Sequence, residues 1–131
     1  MIEDDICIRF VNLVKKTQHL AEKPFVWFHV PNEVDAKRNT FAHGIRQKAK
    51  HKLSGVADYI FMWENGNACL EFKRPKDPIR KTQAGKQSES QKDFQKTCDD
   101  AKVPYYLVYN ENDAFGILED LGLYRKGKII Y

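Results

Sequence analysis

Residues 56–73 read Val56-Ala57-Asp58-Tyr59-Ile60-Phe61-Met62-Trp63-Glu64-Asn65-Gly66-Asn67-Ala68-Cys69-Leu70-Glu71-Phe72-Lys73, and they decide the fold. Two runs, Tyr59 to Trp63 and Ala68 to Lys73, flank Asn65-Gly66, the strongest short-range signal for a two-residue hairpin loop. With Asn65 and Gly66 as the loop, Glu64 faces Asn67, Ile60 faces Glu71 and Asp58 faces Lys73. Side chains directly opposite, or two apart along a strand, share a face. Asp58, Glu71 and Lys73 therefore emerge on one side, with Asp58 and Glu71 as diagonal neighbours close enough to grip one metal ion. That face also carries Ile60, Met62 and Cys69. The other carries Tyr59, Phe61, Trp63, Leu70 and Phe72. Both faces are apolar, as in central strands covered on both sides. Charges gathered at one end of a buried hairpin are costly unless they do chemistry. A solvated strand edge would instead show one polar face along its whole length.

Outward from the hairpin, the chain suits one domain spanning residues 1–131, with 42% hydrophobic and 31% charged residues, a globular balance. The formal net charge of +4 is mild, but its placement is informative. Residues 37–52 hold six cations (Lys37, Arg38, Arg46, Lys48, Lys50, Lys52) and no acid. Residues 74–86 add five (Arg74, Lys76, Arg80, Lys81, Lys86) against Asp77 alone. Charge runs are usually solvated surface. Two runs bracketing an acidic pocket point instead to a polyanion held over a metal site. Cys7, Cys69 and Cys98 form no CxxC pair and fall on apolar stripes, which reads as buried free thiols in a reducing compartment. No apolar run is long enough to span a membrane and the N-terminus lacks a signal-peptide pattern, so the expectation is a soluble, cytoplasmic chain.

The start is helical: Ile6, Phe10, Leu13, Val14, Thr17 and Leu20 recur at helical spacing. Glu3 sits near the centre of that stripe, Asp4 at its edge and Asp5 outside it. Acids in a first turn answer the helix dipole, which accounts for Asp4 and Asp5 better than for an inward Glu3. Phe25 to Val30 reads as a strand closed by Pro31-Asn32-Glu33. Asp35 is a cap for a basic helix from about Ala36 to Lys52. Arg74 to Gln87 reads as a mobile loop. Ser88 begins a helix with Phe94, Cys98 and Ala101 on one face. Ser88-Glu89-Ser90-Gln91 has the form of a capping box, yet Gln91 also falls on the inward face, so a structural and a site role are both open. Tyr105 to Tyr109 is a strand, and Asn110 or Asn112 caps a last helix that ends at Gly122. Lys128 to Tyr131 reads as a short edge strand. The connection from Leu70 to Tyr109 should be a right-handed crossover, giving a mixed sheet with helices on both faces.

Gly55-Val56-Ala57-Asp58, Cys69-Leu70-Glu71-Phe72-Lys73 and Ser88-Glu89-Ser90-Gln91 together resemble the signature of VRR-NUC domains, members of the PD-(D/E)xK nuclease superfamily. His29-Val30-Pro31-Asn32-Glu33 is similar to a further stretch of small stand-alone members from phages and bacteria. Ala57 stands where the superfamily name has proline, and removes no ligand. The resemblance runs from Glu3 to about Tyr109. It implies a restriction-endonuclease-like αβββαβ core, with Asp58 and Glu71 binding magnesium or manganese, Lys73 as the catalytic lysine, Glu3 as the helix acid of the site, able to serve as a ligand, and Gln91 in support. It also implies the backbone carbonyl of Phe72 as a ligand, and homodimers that cut branched DNA such as four-way junctions. The residues suit that chemistry. Oxygen ligands favour hard divalent ions, and Lys73 is placed to orient water and stabilise charge at phosphorus. His29 is available as a base, although a lone strand histidine is more often structural. Exposed apolar residues at the C-terminus (Phe115, Ile117, Leu118, Leu121, Leu123, Tyr124, Ile129, Ile130, Tyr131) offer a partner surface beside their core role. The rivals are a non-catalytic DNA-binding module and an enzyme acting on a small phosphorylated substrate.

Overall fold

Three acids in its first turn (Glu3, Asp4, Asp5) and two lysines in its last (Lys15, Lys16) complement the dipole of the opening helix, α1 (Ile2–Thr17). The computed structural model describes residues 2–31, 46, 50, 53–81 and 83–127. A single 3-10 turn, Gln18–Leu20, leads into β1 (Phe25–His29), followed by β2 (Tyr59–Trp63) and β3 (Gly66–Phe72). Helix α2 (Glu89–Asp100), strand β4 (Tyr105–Val108) and helix α3 (Glu111–Asp120) complete the order. The four strands form one sheet in the order β1-β2-β3-β4. The first two pairings are antiparallel and β3 runs parallel to β4. The expected mixed α/β sheet is therefore present.

The two faces are covered differently. Tyr59, Phe61, Leu70, Phe72 and Val108 pack with Ile6, Phe10 and Val14 of α1 and with Ala114, Phe115 and Leu118 of α3 in the main core. Phe10 sits at its centre, with ring centroids 5.1 Å from Phe72, 5.7 Å from Tyr59, 6.1 Å from Phe61 and 6.3 Å from Trp27. On the opposite face, Cys69 packs with Ala57 and with Cys98 of α2, beside Phe94, Ile60 and Tyr105. Farther along that face, Val26, Phe28 and Met62 are exposed.

The hairpin turns one step earlier than expected. Trp63 pairs with Gly66 and Ile60 with Cys69, so Glu64 and Asn65 make the turn. Asn65 takes the left-handed conformation itself, at φ 66°. Gly66 serves a different need: a Cβ there would lie 2.3 Å from the Trp63 indole. The register moves by two residues, an even number, so every side chain keeps its expected face. Only the partners change. Extended by one residue beyond Tyr59 and Leu70, the ladder places Asp58 opposite Glu71 rather than diagonal to it.

Several other expectations are refined. Strand β1 ends at His29, one residue early. Ser88 caps α2 with both bonds of the capping box, and Asn110 caps α3 by accepting from the Asp113 amide. Gly122 follows α3 at φ 82°. Phe115, Leu118, Leu123 and Tyr124 are buried, and Ile117 and Leu121 pack against the same core, so these six serve the interior, while Ile129, Ile130 and Tyr131 lie outside the described residues. The helix expected from Ala36 to Lys52, with Lys37, Arg38, Lys48 and Lys52, lies outside the described residues except at Arg46 and Lys50. Those two are exposed, and the Lys50 amide donates to the Arg46 carbonyl at 3.2 Å. Asn32, Glu33 and the strand expected at 128–131 are also outside. No helix among the described residues is long and apolar enough to cross a membrane.

Candidate active site

Asp58 lies just ahead of β2, and its carbonyl is fixed from β1. The Val30 amide donates to it at 2.8 Å, and His29 Nδ1 lies 3.0 Å from it. A carbonyl only accepts, so Nδ1 carries the hydrogen and a neutral His29 ring keeps its lone pair on Nε2. The His29 ring rests against Tyr59, with centroids 5.1 Å apart. The Asp58 carboxylate is aimed across the ladder, where Oδ2 accepts from the Phe72 amide at 2.7 Å. In a strand the N–H and C=O of one residue point to the same side. The Phe72 carbonyl therefore faces the Asp58 side, as the resemblance implies for a backbone ligand.

Glu71 is 1% exposed. Its Oε1 has no hydrogen-bond partner among the described residues. Burial, then the hydrogen bond and negative charge of Asp58, push the Glu71 carboxyl well above the usual carboxylate range. The Lys73 ammonium opposes that shift and Glu3 adds to it. A buried acid beside a second acid, with an oxygen left unpaired, is an expensive arrangement for a fold to keep.

The pair opens into a cleft of about 510 Å³ lined by Glu3, Asp4, Cys7 and Ile8 of α1, by His29 and Pro31, by Asp58, Tyr59 and Glu71, and by Gln91 of α2. One helix thus reaches the site from each face of the sheet. Glu3 lines the cleft as expected, and Asp5 does not. Asp4, credited to the helix dipole, lines it too. Positions 3, 4, 7 and 8 are neighbours on a helix surface, and that short stripe was the signal available for Asp4 and Cys7. Burial, then the nearby acids Asp58, Glu3 and Asp4, push the Cys7 thiol up to about 12, and burial raises Tyr59 as well. Both side chains are therefore neutral and serve as wall rather than as nucleophile.

Gln91 fills both of its open roles. Its Oε1 accepts from the Ser88 amide at 2.8 Å, and its side chain lines the cleft. Gly55 joins the two walls. It stands at φ 76°, where a Cβ would fall 2.3 Å from the Ser90 carbonyl and 2.5 Å from the Gln91 amide. The backbone leading to Asp58 is therefore pressed onto the first turn of α2. This role of Gly55 was not read from the sequence.

Lys73 is half-buried beyond the rim, and its amide donates to the Val108 carbonyl at 2.9 Å. It is not among the residues lining the cleft, and its charge nevertheless reaches Glu71. Of the loop cations, Lys76, Arg80, Lys81 and Lys86 are exposed. Arg74 is instead a brace, donating to the Gln83 carbonyl from Nε at 3.2 Å and from Nη2 at 2.7 Å.

Among the described residues, no three His, Cys, Asp or Glu side chains stand close enough to hold an ion together. Glu3 shares the cleft with Asp58 and Glu71. The donors present still fit one hard ion. Magnesium keeps several waters and takes only one or two carboxylates from a protein. Asp58, the unpaired Glu71 oxygen and the Phe72 carbonyl offer such a set. No family model, curated protein or solved structure matches this chain.

Proposed function

We propose that this chain is a divalent-metal-dependent endonuclease with a restriction-endonuclease-like core, of the VRR-NUC type, acting on branched DNA. One observation carries the reading: Glu71 is buried beside Asp58, lines a cleft, lies within charge range of Lys73, and has an oxygen without a hydrogen-bond partner among the described residues. A protein that merely folds gains nothing from that arrangement. A bound magnesium or manganese ion supplies Lewis acidity and a more acidic water. Asp58 and Glu71 hold it, with the Phe72 carbonyl as the third oxygen. The Phe72 amide fixes the rotamer of Asp58. Lys73 places its ammonium where negative charge gathers on phosphorus, and so acts on the transition state. Glu3 and Asp4 orient water at the far wall, and Gln91 holds the near wall to α2. The exposed cations of the loop after Lys73 carry the phosphate backbone toward the cleft, and the cationic run of sequence from Lys37 to Lys52, with Arg46 and Lys50 exposed, extends that role.

Symmetric cuts across a four-way junction need two such clefts at a fixed separation, which a two-fold homodimer provides. The test is cleavage of linear, flapped and four-way-junction DNAs with magnesium, manganese and chelator. The expected result is metal-dependent cutting that favours the branched substrates and disappears with chelator. Binding to all of them without any cutting would favour the non-catalytic module.

A further inference from the structure

We propose that Ile79, at the tip of the loop that leaves the site at Lys73, is a wedge that enters an unstacked base step at a DNA branch point. The proposal rests on the nuclease reading and names the substrate feature that the same site selects. Ile79 is 91% exposed, while among the described residues the next most exposed large apolar side chain, Val26, stands at 61%. A stray surface isoleucine needs no explanation. This one is presented by a built turn. Asp77 Oδ1 accepts from the Ile79 amide at 3.0 Å and from the Arg80 amide at 3.2 Å. Lys81 closes the turn in the left-handed conformation at φ 56°, a strained choice for a lysine. The root of the loop is pinned as well. The Gly85 amide donates to the Arg74 carbonyl at 2.8 Å, and Arg74 grips the Gln83 carbonyl.

The surroundings identify the partner. Lys76, Arg80, Lys81 and Lys86 are all exposed on the same loop, so the apolar tip stands among cations. Phosphates meet the lysines and the arginine, and an isoleucine set between them meets what lies between phosphates, the base stack. Proteins that bend or open a duplex use such side chains, isoleucine among them, as wedges, and the energetic cost of insertion is lowest where stacking is already broken. The root fixes the distance to the chemistry. The hydrogen that replaces a side chain at Gly85 faces Lys73, since a Cβ there would lie 3.6 Å from Lys73 Cβ and Cδ. Ile79 follows Lys73 by six residues, a reach of about 20 Å at most. At about 3.4 Å per step, the opened step lies within about six nucleotides of the cut.

The test compares wild type, Ile79→Ser and Ile79→Met on a four-way junction and on linear duplex, with 2-aminopurine placed at the branch point. Ile79→Ser should lower junction cleavage about tenfold relative to duplex cleavage, and Ile79→Met should keep the wild-type ratio. In a Lys73→Ala background, which holds the junction uncut, 2-aminopurine fluorescence should rise on binding and fail to rise once Ile79→Ser is added. An unchanged ratio in Ile79→Ser, or equal losses on both substrates, overturns the wedge while leaving the nuclease intact. Absence of cutting by the wild-type chain refutes the nuclease reading, and the fluorescence arm then decides the wedge alone. A rise that Ile79→Ser abolishes supports it, and no rise refutes it.

Discussion

Replacing Glu71 by glutamine should stabilise the metal-free protein, and the gain should grow with pH. The Glu71 carboxyl is raised far above its ordinary value of 4.5 by burial and by Asp58. A raised carboxyl contributes stability that is fully present below 4.5 and is lost as pH climbs toward the raised value, because the unfolded chain releases a proton that the folded one keeps. At pH 7 the folded side chain is still protonated, so the loss is set by the interval from 4.5 to 7 and not by the height of the shift. At 1.36 kcal/mol per unit this is about 3 kcal/mol. Glutamine imitates the protonated acid, so Glu71→Gln should match wild type near pH 4.5 and exceed it by about 3 kcal/mol at pH 7. For a chain of this length that corresponds to about 10 °C in melting temperature. The assay is thermal unfolding of both proteins in chelator at several pH values, read as a difference so that the other titrating groups cancel. Adding magnesium at pH 7 should raise wild type and leave Glu71→Gln unmoved. A melting difference that stays flat from pH 4.5 to 7 would refute the buried, proton-retaining Glu71 on which the site assignment depends.

Lys73→Ala should slow cleavage by about 10²- to 10³-fold while keeping the magnesium-induced thermal shift, since the lysine acts on the transition state. Full activity would remove Lys73 from the reaction. Glu3→Gln and Asp4→Asn should both slow cleavage, whereas Asp5→Asn should not, because only the first two line the cleft. Equal rates for all three variants would return these acids to the helix dipole. Gly55→Ala forces an ordinary residue to φ 76° and a Cβ into the backbone of Ser90. It should cost about 3 kcal/mol in strain and overpacking together, and should lower activity further as Asp58 moves off α2. A melting point within 2 °C of wild type, roughly half a kcal/mol, would mean that the contact yields freely.

The sheet was legible because apolar alternation and the crossover rule constrain it tightly. The hairpin register was not, because Asn65-Gly66 satisfies two turns equally in local terms. Packing of Trp63 on Gly66 selects between them, and that contact has no local signature. The face assignment survived only because the slip was even. Asp58, Glu71 and Gln91 were found through strand parity and helical spacing. Asp4 escaped because a first-turn acid always has a dipole explanation, and Gly55 because a glycine before a strand reads as a turn. The C-terminal aromatic residues looked surplus to a terminal helix. The Tyr124 ring in fact packs tilted against Phe115 with centroids 4.5 Å apart, and its hydroxyl lies 3.3 Å from the Thr17 hydroxyl, which ties the segment after α3 to the first helix.

That the cleft draws on residues 3, 58, 71 and 91 has a kinetic consequence. The hairpin can form early because its contacts are local, and α2 with β4 follows through a single crossover. Helix α1 must close a loop of more than fifty residues before Glu3 meets Asp58, and closing long loops slows folding. Asp58 and Glu71 can meet in a fragment that lacks α1, but the walls around them cannot. In a refolding experiment, an ion that binds the finished cleft should therefore report the last phase, after hairpin fluorescence from Trp63 has settled, and adding it early should slow unfolding without hastening folding.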